Sequence, residues 1–148
     1  MIRAGEHHLS AAELLALLAV ITMAVAPHFA HGNGWVSLFF AATIGYRLAA
    51  IRYPRLLPGR LLLLLTTLAA LAVVLFSHTQ LVDWRTAVDL LIVMVGLKLL
   101  ELRRRRDIYV TLFLGYFVIA SNFLFEQGLL LTAWLLLAFT GLTALLLE

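Results

Sequence analysis

Six apolar runs organise this chain, separated by short breaks of polar residues, glycine and proline. They lie at 10–26, 35–51, 61–76, 85–102, 108–125 and 129–147. Within each run the apolar residues are continuous rather than alternating, which argues for helices and against strands of a barrel. Each run is close to the ~20 residues that a helix needs to cross a bilayer. Lipid admits only helices or closed barrels, because every backbone polar group must be satisfied internally. The expected fold is therefore all-α: one polytopic transmembrane helical bundle of about six spans, filling 1–148 as a single domain.

The breaks carry recognisable helix signals. Ser10 followed three residues later by Glu13 reads as a capping box opening the first helix. That helix is expected to stop near Pro27. The segment PHFAHGNG, at 27–34, reads as a glycine-rich turn without formal charge. Pro54, Pro58 and Gly59 end the second run. The third run is short, so its ends are expected to reach the interface. Glu126-Gln127-Gly128 is so short that the fifth and sixth helices must be antiparallel neighbours. Residues 1–9 are polar but do not resemble a cleaved signal peptide, since the following run is too long and has no small-residue cleavage site.

Composition agrees with the pattern. Of 148 residues, 64% are apolar and 13% are charged, and mean hydropathy is +1.03. A soluble domain is about half apolar and about a quarter charged, so an ordinary soluble globule and a disordered chain are excluded. There is no cysteine, hence no disulfide, no zinc–thiolate site and no cysteine nucleophile. The pI near 9.8 does not signal nucleic acid, because the basic residues lie between apolar runs.

Charge sets the expected orientation. Assigning the loops alternately to two sides puts Arg3, Arg47, Arg52, Arg55, Arg60, Lys98 and the 103–106 arginines on one side. The other side receives only Arg85. By the positive-inside rule both ends are cytoplasmic. His28, His31, His78, Asp83 and Glu126 then face outward. Five spans instead of six would move the C-terminus outside, but six fits the lengths better.

Four groups of residues are candidates for more than packing. Lys98, Glu101, Arg103, Arg104, Arg105, Arg106 and Asp107 form a charged junction at the inner end of the fourth run. Lys98 and Glu101 share a helix face, Glu101 reaches Arg105, and Arg103 reaches Asp107. One reading is a topology anchor with a local ion-pair network. The other is a docking surface for anionic lipid headgroups or for another part of the same protein. Asp89 lies one turn into the outer end of the fourth run, with Arg85 four residues earlier. A helix-end Asp–Arg pair is the expectation, and a proton- or substrate-coupling acid is the sharper alternative. His28, His31, His78 and Asp83 offer donors for a metal or a proton, but a glycine-rich loop does not give ligand spacing, and no metal site is expected. Asn122 and Ser121, with Glu126 and Gln127 nearby, are expected to hydrogen-bond to neighbouring helices. Gly45, Gly96, Gly115 and Gly141 are expected to permit close helix packing, although none forms a GxxxG pair. Tyr46, Tyr53, Tyr109, Trp35, Trp84 and Trp134 suit an interfacial belt or packing. No phosphate-cradling loop, HExxH or GxSxG occurs, so neither a catalytic site nor a cofactor is expected.

The stretch GLKLLELRRRRDIYVTLFLGYFVIASNFLFEQGLLL, at 96–131, resembles the N-terminal membrane domain of the TgpA family, bacterial inner-membrane proteins with a transglutaminase-like domain. The matching pieces are Lys98-Leu99-Leu100-Glu101, the arginine run with Asp107, the block FLGYF at 113–117 and the block NFLF at 122–125. Order and hydropathy agree over essentially the whole chain. The resemblance implies membrane spans that precede a large periplasmic domain with a Cys-His-Asp constellation. Without cysteine, none of those catalytic residues carries over. The chain then looks like the membrane part alone, a truncated product missing its catalytic partner. Two functions follow. One is a non-catalytic module that anchors, and in a further step regulates, a periplasmic transglutaminase-like enzyme. The other is an independent transporter or membrane enzyme using Asp89 and the outer histidines. Polar residues near helix ends rather than mid-bilayer favour the module.

Overall fold

A computed structural model describes residues 10–147, apart from 32, 54, 56–58, 78–82, 124, 126 and the side chain of residue 105. Among the described residues there are seven helices and no strand: α1 (Ala11–Val25), α2 (His28–His31), α3 (Gly34–Arg52), α4 (Arg60–Ser77), α5 (Trp84–Glu101), α6 (Arg105–Asn122) and α7 (Leu129–Leu147). The six long helices coincide with the six apolar runs. The fold is all-α.

Local chemistry explains the ends. The expected capping box is present: Ser10 Oγ accepts from the Glu13 backbone N–H at 3.2 Å, and the Ser10 N–H donates to the Glu13 carboxylate at 3.0 Å. At the other end of α1 the structure corrects the sequence reading. Residues 28–31 are not plain turn but the single helical turn α2. Pro27 lacks an N–H yet keeps a helical φ, so it breaks the hydrogen-bond ladder without turning the chain out of helix. Asp83 caps α5 by accepting from the Arg85 N–H. Threonine hydroxyls inside the helices donate to carbonyls one turn back, as Thr22 does to Leu18, Thr43 to Phe39 and Thr111 to Asp107. That bond satisfies each hydroxyl where water is excluded.

The bundle has two halves. In one, α1, α6 and α7 pack on each other; in the other, α3 and α4 flank α5; contact between α5 and α6 joins them. Leu17, Ile21, Phe40, Val95, Leu99, Leu112, Leu135 and Leu142 are among the fully buried core side chains. Three of the four predicted glycines earn close packing. A Cβ at Gly115 would lie 2.8 Å from Ile21 and 3.1 Å from Leu142, one at Gly141 3.0 Å from Val20, and one at Gly96 3.1 Å from Phe39. Gly45 does not fit the expectation: a Cβ there would meet nothing within 4 Å, because that face of α3 turns away from its neighbours.

The outer faces are apolar. Leu61, Leu64, Leu68 and Phe76 of α4 and Leu129, Leu130, Leu136 and Leu137 of α7 are all well exposed. So large an apolar exterior is foreign to a monomeric soluble protein. Ala11–His31, Gly34–Arg52 and Leu129–Leu147 are long and apolar enough to cross a membrane, while Arg60–Phe76 is apolar but shorter. The charged residues of the six-run pattern concentrate in α5 and α6. Of these, α5 is the central helix, in contact with α3, α4 and α6.

Candidate functional site: the charged junction and the opposite polar end

Arg52 ends α3, Arg60 opens α4, Lys98 lies in the last turn of α5, Arg103 and Arg104 precede α6 and Arg106 lies in its first turn, so these helix ends are basic. Their centre is the link between α5 and α6. Lys98 Nζ sits 2.9 Å from Glu101 Oε2 and 3.4 Å from Asp107 Oδ1. The i,i+3 spacing read from sequence thus places Lys98 and Glu101 together, and the fold adds Asp107 from the next helix. Asp107 does not meet Arg103 through a guanidinium. Its Oδ2 accepts the backbone N–H groups of Arg103 and Arg104, at 3.2 and 3.0 Å. Asp107 is the third residue of α6, so this is the acidic half of a capping box. The reciprocal half is missing, since the arginine at the cap position has no acceptor to offer. Asp107 is 7% exposed and precedes the apolar run at 108–125. Burial opposes its ionisation, but the two backbone N–H groups and the Lys98 ammonium outweigh it and hold the carboxyl below the usual carboxylate range. Glu101 and Arg106 are exposed, as are Arg103 and Arg104. The Arg105 side chain, and with it the expected Glu101–Arg105 pair, lies outside what is described.

Arg47 is the residue that sequence reasoning undervalued. The charge pattern assigns it only to the basic side, yet it sits in α3 and is 6% exposed. Its guanidinium donates to the backbone carbonyl of Leu102, the C-cap of α5. A cation at a helix C-terminus satisfies an orphan carbonyl and complements the helix dipole. The signal was available: an arginine four residues inside an apolar run calls for a named partner. Together Arg47, Lys98 and Asp107 lock α3, α5 and α6 at one end.

The opposite end carries the second cluster. Asp89, 4% exposed, accepts from Asn33 Nδ2 at 2.6 Å. Asn33 is the cap residue of α3, so the contact ties α3 to α5. The expected Arg85–Asp89 pair is corrected: Arg85 lies over the Trp84 ring, 5.4 Å from its centroid, because that side chain extends to the surface while Asp89 turns inward toward α3. Asn122 behaves as expected. Its amide donates to the Ala24 carbonyl of α1 and to its own Val118 carbonyl, both at 3.0 Å. Ser121 Oγ donates to Val118 O at 2.8 Å and stands 3.4 Å from His28 Nε2. His28 is buried and meets Phe125 edge-on at 5.2 Å. His31 is exposed, with its ring beside the Pro27 carbonyl. His78 and Glu126 lie outside the described residues. Among the described residues no group of three or more His, Asp or Glu side chains is placed to hold a metal ion. Of the aromatic residues, Trp134 donates its indole N–H to the Met23 carbonyl at 3.0 Å, and Trp84 packs edge-on against Phe125.

The basic junction, its Asp107 cap and the following FLGYF block fall inside a match between residues 16–148 and the TgpA N-terminal domain. The chain belongs to the TgpA N-terminal domain family. It is also similar to a protein-glutamine gamma-glutamyltransferase of Pseudomonas aeruginosa, with 32% identity over 131 residues. That alignment covers 88% of this chain but 20% of the relative, so the chain spans about a fifth of the curated protein it matches. No solved structure matches it.

Proposed function

We propose that this chain is the membrane-embedded, non-catalytic part of a transglutaminase-like protein. It crosses the bacterial inner membrane six times with both ends in the cytoplasm, and it anchors a periplasmic catalytic domain. One observation carries this reading. The chain aligns with a fifth of a protein named as a glutamyltransferase and contains no cysteine, the nucleophile that thiol-based acyl transfer requires. The basic junction then lies against the anionic headgroups of the inner leaflet, where each cation contributes about 1 kcal/mol of attraction. The lock between Arg47, Lys98 and Asp107 gives the anchor a fixed arrangement of α3, α5 and α6. The transporter reading is weaker. Asp89 and His28 are buried among helix-bridging contacts near one end, which suits packing better than a solute path.

The absence of cysteine makes the topology directly testable. Gly34, Gly59 and Gln127 lie at helix ends, and a Cβ at either glycine meets no neighbour within 4 Å. Single-cysteine variants Gly34→Cys, Gly59→Cys and Gln127→Cys are treated with a membrane-impermeant maleimide in spheroplasts. Gly34→Cys and Gln127→Cys should label directly, and Gly59→Cys only after lysis. Labelling of Gly59→Cys in intact spheroplasts overturns the orientation. Protection of all three before lysis overturns the multi-span reading.

A further inference from the structure

We infer that the groove between α4 and α6 is a binding site for one anionic glycerophospholipid of the inner leaflet, its phosphate on Arg60 and an acyl chain along the groove. The inference rests on the six-span reading with the basic end inward. It begins from packing. Helix α4 leans chiefly on α5, so a wedge stays open between α4 and α6 with α5 as its floor. This groove has a volume of about 710 Å³. Its walls are apolar: Leu64 and Thr67 from α4, Met94 and Leu97 from α5, Val110 and Leu114 from α6. The Thr67 hydroxyl is spent on the Leu63 carbonyl at 2.7 Å, so it offers the groove little polarity.

The mouth is different. Arg60, Lys98 and Glu101 line it at the basic end. Lys98 is already shared by Glu101 and Asp107. Arg60 is exposed, and among the described residues no carboxylate lies within ion-pairing distance of it. A guanidinium at the opening of an apolar groove complements a ligand with a phosphate head and a hydrocarbon tail, since Arg pairs phosphate in a planar two-bond geometry. Along α4 the lining runs from Arg60 to Thr67. At a rise of roughly 1.5 Å per residue that is about 10 Å, about a third of the ~30 Å hydrocarbon core. The groove thus occupies the depth from headgroup to upper acyl chain in one leaflet. A neutral headgroup lacks the net charge that the arginine selects.

The test uses the whole chain, extracted from membranes in mild detergent and incubated with dioleoylphosphatidylglycerol or dioleoylphosphatidylcholine. Native mass spectrometry reads the bound lipid. The wild type should retain phosphatidylglycerol over phosphatidylcholine by about five-fold, which is about 1 kcal/mol, the scale of one arginine near a phosphate. Arg60→Gln should abolish that preference while leaving total lipid nearly unchanged. Leu64→Trp, at a position exposed enough to spare the core, should fill the groove and lower retention of both lipids. Equal retention of the two lipids by the wild type, or an undiminished preference in Arg60→Gln, overturns the site. Recovery of the wild-type chain in the aqueous fraction of the lysate would instead overturn the membrane reading on which it rests.

Discussion

Replacing Asp107 with alanine should be the most damaging single change at the basic end. Its carboxylate accepts two backbone N–H groups, from Arg103 and Arg104, and lies 3.4 Å from Lys98. A hydrogen bond to a charged group contributes about 1.5–3 kcal/mol where it is buried. Asp107 is nearly buried, but the chain around it is exposed, so the low end applies and the two bonds together amount to about 2–3 kcal/mol. The ion pair with Lys98 adds less than about 1 kcal/mol, because Lys98 is partly solvated. Asp107→Ala should therefore destabilise by about 3 kcal/mol. Asp107→Asn keeps an acceptor oxygen in the same place and should lose about 1 kcal/mol. Lys98→Gln should also lose about 1 kcal/mol or less. Unfolding of the purified chain in mixed micelles, driven by added SDS and followed by far-UV circular dichroism, measures all three. A double-mutant cycle between Asp107→Asn and Lys98→Gln isolates the pair, and its coupling energy should stay below about 1 kcal/mol. If alanine and asparagine are equally damaging, the ion pair rather than the backbone cap holds the junction, and the reasoning fails. If both match the wild type, the junction has no structural weight at all.

Three further outcomes follow from the packing. Gly115→Leu should destabilise by about 1–3 kcal/mol, since even a Cβ there lies 2.8 Å from Ile21; the same SDS titration reads it, and Gly45→Leu, which faces open space, should be near neutral. Asn122→Leu removes the α6–α1 bond to the Ala24 carbonyl and should lose about 1 kcal/mol, seen as an earlier transition midpoint with unchanged helix content. Asp89→Asn should be tolerated because the amide oxygen still accepts from Asn33, whereas Asp89→Leu removes that acceptor and should lose about 1 kcal/mol; equal losses in the two variants would mean that charge, not the hydrogen bond, matters at this position.

Several features were legible because they are local. The Ser10–Glu13 box, the Lys98–Glu101 pair and the ends of the long helices each depend on residues within a turn or two, so spacing alone reveals them. The composition and the continuous apolar runs likewise determine helices rather than strands and an apolar exterior. The bonds that assemble the bundle are of another kind. Arg47 meets Leu102 across 55 positions and Asn33 meets Asp89 across 56. Those pairings depend on how each helix is rotated and how far it is slid along its neighbour. In an amphipathic helix the polar stripe would betray the rotation. Here α3, α5, α6 and α7 carry hardly any one-sided polar stripe, so lipid-facing and protein-facing sides look alike in the sequence. That is why Gly115 and Gly45 read the same and sit differently, and why Asp89 meets Asn33 rather than Arg85. Sequence by itself determined the helices, their charge asymmetry and the family they mark. Tertiary packing alone decided which faces meet, because hydrophobicity says that a residue leaves water and not which neighbour it joins.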